Sequence, residues 1–266
     1  MSALPRPRKR FGQHFLEAAW VTKLVASLAP EPDDVFVEIG PGRGALTVPL
    51  SARVRRLIAV EIDRDLAAAL QAQLPSHVTV VEGDFLQVPL TELLRGEHQP
   101  VRVVGNLPYN VSSPILFKLL HEAAGGDVIS DATVMLQKEV ADRLTATPGT
   151  GDYGVLAIQV SLLADVDRVL TLPPGAFRPA PKVTSAVVRM RFRPPREDVG
   201  NLKTFERLVR GIFLQRRKTL SNALKPVADS YGLTAAQLVA AADVDGTKRP
   251  EELTLADLAR LSRAVL

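Results

Sequence analysis

Short apolar runs recur through the first 140 or so residues, and the first and the three that follow it each open onto a cluster of glycine or polar side chains. Val35-Phe36-Val37, Leu57-Ile58-Ala59-Val60, Val78-Thr79-Val80-Val81, Val101 to Val104 and Thr133 to Leu136 have the length and β-branched content of buried strands. Other stretches carry apolar residues at helical spacing: Trp20, Leu24 and Leu28 within Glu17 to Leu28, and Leu66, Leu70 and Leu74 within Asp63 to Leu74. Further helices are predicted from Ala45, with Pro49 tolerable in a first turn, and over Pro114 to Leu120, Gln137 to Leu144 and Leu156 to Leu163. Strand and helix in alternation predict an α/β domain on a parallel sheet. Arg168 to Leu172 and Ser185 to Phe192 read as two more strands, joined by a stiff loop with four prolines.

The pattern changes after Pro194-Pro195-Arg196-Glu197-Asp198, which has linker composition. Beyond it only helical periods remain: Phe205 to Phe213, Leu220 to Tyr231, Ala235 to Ala242 and Leu255 to Leu266. Thr234 with Gln237 forms a capping-box pattern, and Thr254 with Asp257 is a second start signal. The expected organisation is an α/β domain over 1–195 and a small helical domain over 196–266.

In an open parallel sheet the binding crevice lies outside the C-terminal strand ends, which is where the polar clusters fall. The first is Glu38-Ile39-Gly40-Pro41-Gly42-Arg43-Gly44, a glycine turn that lets a ligand approach the backbone beside a helix N-terminus. Glu61 stands 21 residues past Gly40 (61 − 40), where a nucleotide-binding unit places the acid for ribose hydroxyls. Gly83-Asp84-Phe85 and Gly105-Asn106-Leu107-Pro108-Tyr109-Asn110 close the next two strands. Gly40-x-Gly42-x-x-Ala45 also fits a degenerate dinucleotide fingerprint or a plain tight turn, Asp84 a simple helix cap, and Asn106 to Tyr109 an ordinary turn with a packed tyrosine. Taken together, Glu38, Glu61 and Asp84 would repel a bare phosphate; they suit hydroxyls, an amine and a positive centre. S-adenosylmethionine has all three. An amide oxygen, a proline-flanked carbonyl and an aromatic face at Asn106, Pro108 and Tyr109 can hold a flat heterocycle by its exocyclic amine. With an activated methyl, positioning and electrostatics suffice, and no metal is required.

The 266 residues carry a net charge of +4 with a pI near 9.5, and no cysteine. That excludes a disulfide framework and thiolate chemistry. No run is long enough to span a membrane and no signal-like segment opens the chain, so a cytoplasmic address is expected, and with no evident apolar patch a monomer is expected. The positive charge is concentrated at Arg6, Arg8, Lys9 and Arg10, and again at Arg216, Arg217 and Lys218. Each run suits a solvated surface or the phosphates of RNA.

Phe11-Gly12-Gln13-His14-Phe15-Leu16 and the four strand-end clusters with Glu61-Ile62-Asp63 resemble, in order, the motifs of the rRNA adenine N6-dimethyltransferases. Phe177-Arg178-Pro179-Ala180-Pro181-Lys182-Val183 and Gln215-Arg216-Arg217-Lys218-Thr219-Leu220-Ser221-Asn222 extend the resemblance over nearly the whole chain. It implies a Rossmann-like class I S-adenosylmethionine-dependent methyltransferase domain followed by an all-helical domain. The resemblance is strongest to the small-subunit branch, which dimethylates two adjacent adenines in the 3′-terminal hairpin loop of 16S rRNA during ribosome biogenesis. It assigns S-adenosylmethionine contacts to His14, Leu16, Glu38, Gly40, Gly42, Glu61, Asp84 and Asn106. Asn106 and the Pro108 carbonyl would accept from the target amine, Tyr109 would stack on the target base, and Phe177 would close its other face. Arg8, Lys9, Arg10, Arg216, Arg217 and Lys218 would contact RNA. Many members carry asparagine where this chain has His14; histidine still offers a neutral donor or acceptor. The rival readings are a large-subunit adenine methyltransferase of the macrolide-resistance type, an RNA-binding assembly factor without turnover, and a nicotinamide dehydrogenase. The dehydrogenase leaves Asn106 to Tyr109 and the helical domain without a task.

Overall fold

The computed structural model describes residues 15–97, 99–126 and 128–265. His14, Arg8, Lys9 and Arg10 lie outside that set. In chain order the elements are β1 (Phe15–Leu16), α1 (Ala18–Leu28), β2 (Val35–Ile39), α2 (Thr47–Ser51), β3 (Arg56–Glu61), α3 (Arg64–Gln71) and β4 (Val78–Glu82). Then come α4 (Leu90–Leu93), β5 (Val101–Asn106), α5 (Ser112–Ala124), β6 (Ile129–Gln137), α6 (Lys138–Leu144) and α7 (Val155–Leu163). The chain finishes with β7 (Ala164–Leu172), β8 (Phe177–Arg178), β9 (Ser185–Phe192), α8 (Leu202–Phe213), α9 (Leu220–Ala223), α10 (Lys225–Asp229), α11 (Ala235–Ala242) and α12 (Leu255–Ala264).

Two compact units form. The first, the chain up to Ala141 with Asp165–Phe192, carries a seven-stranded sheet in the order β4-β3-β2-β5-β6-β9-β7. Strands β2, β3, β4, β5 and β6 pair in parallel, and β9 runs antiparallel to β6. The chain winds outward from β2 to β3 and β4, then returns to add β5 on the other side of β2. That reversal opens a crevice beyond Ile39 and Gly105, which are register partners. Strand β2 is buried along its whole length, as its apolar run requires, and carries Glu38 into the interior with it. One face of the sheet packs Phe36, Leu57, Val78, Val104 and Val187 against α1 residues Val21, Leu24, Val25 and Leu28.

The second unit is Asp142–Ala164 with Arg193–Leu266. The boundary after Phe192 falls three residues before the cut read at Pro194-Pro195, but residues 142–164 join the C-terminal helices, which one cut in the sequence does not express. The reason lies in their bonds. Arg193 donates to the carbonyls of Leu162 (2.9 Å) and Ser161 (3.0 Å) at the end of α7, and the Tyr153 hydroxyl donates to Leu253 O at 2.9 Å. The single helix expected over Leu220 to Tyr231 is two, α9 and α10, because Pro226 has no N–H to carry the ladder through. Thr234–Gln237 and Thr254–Asp257 both form complete capping boxes. No helix of the described residues is long and apolar enough to cross a membrane.

Candidate active site

At the end of β2 the chain turns through Gly40 (φ +66°) and Gly42 (φ +57°), backbone that L side chains seldom adopt. Glu61, closing β3, locks this turn: its Oε2 accepts from the Gly42 N–H and its Oε1 from the Asp63 N–H, both at 2.9 Å. Asp63 in turn caps α3, accepting from the amides of Asp65 and Leu66. Glu61 is nearly inaccessible, and burial pushes its carboxyl above the usual range against the amides of Asp63, Gly42 and Ile62, which favour its charge.

Glu38 is buried deeper. Burial pushes its carboxyl up to about 8, the Glu61 charge adds to the rise, and the Thr47 side chain opposes it. Its Oε2 has no hydrogen-bond partner among the described residues. A buried acceptor without a donor is costly unless something else supplies one.

Asp84 follows β4 and is half-buried, its Oδ1 accepting from Leu86 N at 2.9 Å. Asn106 ends β5 beside Gly105, where a Cβ would stand 2.8 Å from the Ile39 carbonyl oxygen. Only glycine lets β2 and β5 approach so closely at the crevice. Beyond Asn106, the Pro108 carbonyl accepts from Val111 N at 3.1 Å, which leaves its second lone pair available. The Tyr109 hydroxyl shares a 2.7 Å hydrogen bond with Ser185 Oγ on β9, while the ring stays half-buried. Burial pushes that phenol above its usual value.

These groups converge on one cavity of about 150 Å³. Leu16, Glu38, Gly40, Gly42, Glu61, Asp84, Asn106, Pro108 and Tyr109 all line it, so the residues proposed from the strand ends meet in one place. Phe177 does not. Its side chain is fully buried in the core with Val21, Leu24 and Phe36, because β8 pairs with β1 and sets Phe177 opposite Leu16. Val21 and Leu24, its neighbours in that core, line the cavity, so Phe177 packs behind the cavity wall rather than in it. Arg216 is also engaged within its own unit: Nε donates to Glu251 Oε2 at 2.5 Å, and Nη2 to the carbonyls of Thr150 and Gly151. Arg217 and Lys218 are exposed.

Apolar lining residues such as Leu46, Val111, Ile115 and Met135 lie outside the polar clusters, and within them Ile62 and Phe85 line the cavity although the clusters point to their acidic neighbours. Ile62 is 51 % exposed although large and apolar. Its position between Glu61 and Asp63, outside any helical or strand period, was the available signal. These side chains provide apolar walls for a flat ring between acids that take hydroxyls and amines. The orphaned Glu38 Oε2 and the acceptor-rich rim fit S-adenosylmethionine, whose amine, ribose hydroxyls and sulfonium offer donors and positive charge.

The sequence model for ribosomal RNA adenine dimethylase matches residues 5–261. The chain is 44 % identical over 259 residues to the ribosomal RNA small subunit methyltransferase A of Chromobacterium violaceum, covering 96 % of this chain and 94 % of that one. It is 45 % identical to that of Acinetobacter baylyi, covering 97 % and 92 %. A dimethyladenosine transferase from Plasmodium falciparum superposes with a TM-score of 0.76 at 25 % identity, covering 93 % of this chain and 96 % of the other. The 23S rRNA methyltransferase ErmE superposes with a TM-score of 0.64 at 26 % identity, covering 94 % and 99 %. The match over nearly the whole chain and the 44–45 % identity to these relatives show that the chain belongs to the ribosomal RNA adenine dimethylase family.

Proposed function

We propose that the protein dimethylates the N6 amines of two adjacent adenines in the 3′-terminal hairpin loop of 16S rRNA, using S-adenosylmethionine, on an assembling small ribosomal subunit. The observation that carries this reading is the convergence of Glu38, Glu61 and Asp84 with Asn106, Pro108 and Tyr109 on one cavity. When bound, S-adenosylmethionine supplies a methyl group on a positively charged sulfur. Glu61 takes the ribose hydroxyls on the lone pairs its amide donors leave unused, and Asp84 takes the adenine amine. Glu38 offers its orphaned oxygen to a donor on the ligand.

The target amine is a weak nucleophile because its lone pair is delocalised into the purine ring. Asn106 Oδ1 and the second lone pair of the Pro108 carbonyl accept its two N–H groups and localise that pair on the nitrogen, turned toward the methyl group. Tyr109, anchored through Ser185, stacks on the base. The apolar walls exclude water, and the fixed acceptors need little reorganisation during transfer. A loop adenine is already partly unstacked, which lowers the cost of delivering it to the pocket. Arg217 and Lys218, with Arg8, Lys9 and Arg10, contact phosphates. The protein acts as a cytoplasmic monomer.

The small-subunit target is favoured over a large-subunit one by the 44–45 % identity to proteins named for the small subunit, against 26 % to ErmE. The test supplies labelled S-adenosylmethionine and small subunits from a strain lacking the modification. Label recovered as dimethyladenine in the 3′-terminal hairpin is the expected result. Label on large-subunit RNA in a parallel sample would favour the resistance-type activity, and tight RNA binding without label would favour an assembly factor.

A further inference from the structure

The turn after β4 brings Asp84 and Phe85 to the cavity, and its amides fold inward on Asp84. Gln87 N and Val88 N donate to the Asp84 carbonyl at 2.8 and 3.1 Å, and Leu86 N donates to the Asp84 carboxylate. That folding leaves the carbonyls of Phe85, Leu86 and Val88 converging on one point, where like dipole ends repel. The Lys118 ammonium occupies that point. It donates to Phe85 O at 2.9 Å, Leu86 O at 3.4 Å and Val88 O at 2.5 Å, matching three N–H groups to three acceptors. It also lies 5.2 Å from the centre of the Phe85 ring. Burial pushes this ammonium below the usual lysine value, while Glu122 and Asp84 favour its charge.

Lys118 sits on α5, one turn beyond Ile115, which lines the cavity, and α5 follows directly on Asn106-Leu107-Pro108-Tyr109. We infer that Lys118 is a positioning residue that fastens the Asp84–Phe85 turn to the helix leading from the target-base turn, and so sets the shape of the adenosine end of the cavity. The inference rests on reading this cavity as the S-adenosylmethionine site. Without the ammonium the three carbonyls would turn to water, and Asp84 and Phe85 would lose their fixed places on the cavity wall.

The test compares the parent protein with Lys118→Met, which keeps the aliphatic stem, and Lys118→Arg, which keeps donors and charge. S-adenosylhomocysteine binding is measured by calorimetry, affinity for small subunits by filter binding, and KM and kcat with saturating subunits. In Lys118→Met we expect roughly tenfold weaker S-adenosylhomocysteine binding and a matching rise in KM for S-adenosylmethionine. Affinity for subunits should be unchanged and kcat should stay within about threefold, with Lys118→Arg recovering most of the loss. Unchanged cofactor affinity in a folded Lys118→Met protein overturns the inference. So does a parallel loss of cofactor and subunit affinity with a lowered melting temperature, which is the mark of a purely structural lysine. Should Lys118→Met fail to fold, Lys118→Gln, with one shorter amide donor, is judged by the same readouts. A parent protein that does not bind S-adenosylhomocysteine overturns the reading of the cavity itself.

Discussion

At the ends of β2 and β3 the Glu61 carboxylate accepts from amides 2 and 19 positions away, whereas beyond β5 the hydroxyl of Tyr109 is held by Ser185, 76 positions along the chain. Around Glu61 the cofactor wall is therefore built from backbone and near neighbours, with glycines shaping it and a buried acid locking it, and only its Asp84–Phe85 part needs Lys118. The target-base wall is built from side chains delivered by distant strands. The Glu61 part of the first wall can form as soon as β2, α2 and β3 associate; the second needs β9 in its place against β6. This division implies that substitutions should separate cofactor binding from methyl transfer according to which wall they touch.

The sharpest break in that comparison is Asn106→Ala, which removes an acceptor aimed at the target amine. We expect methyl transfer to fall by at least about 10²- to 10³-fold, with S-adenosylhomocysteine binding only weakened. Turnover of labelled cofactor beside calorimetry measures both, and equal losses would erase the distinction between the walls.

Glu38 probes the cofactor wall through pH. Its pKa is raised from 4.5 to about 8, so between those values the unfolded chain releases a proton that the native protein keeps. Stability contributed by this group is thus full below pH 4.5 and declines as pH rises toward 8, by up to about 1.4 kcal/mol per pH unit. Glu38→Gln should flatten that slope and be more stable than the parent at pH 8, at the expense of cofactor binding. Denaturant unfolding at a series of pH values decides it: an unchanged slope in the variant would show that Glu38 is not the source.

Ser185→Ala and Tyr109→Phe test the target-base wall more gently. Each removes one end of a single hydrogen bond worth about 1 kcal/mol, or roughly a fivefold loss in transfer. The two effects should not add in the double variant. Additive losses would mean that serine and tyrosine act separately, and weakened cofactor binding in either would blur the two walls.

The smallest effects on chemistry belong to the second unit, where adjacent arginines have opposite expectations. Arg216→Ala should lower stability by about 1–3 kcal/mol, because Glu251 and two carbonyls lose their partner. Arg217→Ala with Lys218→Ala should leave the melting temperature unchanged but reduce the salt slope of RNA binding by about 1.4, for two phosphate contacts to a single strand. Melting curves and binding titrations across salt concentrations separate the two cases.

The same contrast explains what could be read before the fold was known. Strands β2 to β6 announce themselves through apolar runs, and Glu38, Glu61, Asp84 and Asn106 follow from the rule that ligands gather at strand ends. Ser185 and Lys118 carry no local mark. A serine opening a strand and a lysine on a helix are ordinary, and only the third dimension shows that one meets Tyr109 and the other three carbonyls. The burial of Phe177 carries no local mark either: pairing of β8 with β1 places the ring in the core behind the cavity. Arg216 misleads as part of a charge run whose members do different things. The placement of 142–164 escapes because Arg193 and Leu253, which hold it, come later in the chain.

That placement has a consequence during synthesis. Helix α7 is buried along most of its length, and the helices it packs on, α8 and α12, lie after it in the chain. The ribosome must translate about 90 further residues before α12 begins, roughly 5–20 s at ordinary elongation rates. For that interval a sticky nine-residue helix waits for its covering, exposed to any chaperone or neighbouring nascent chain that reaches it first.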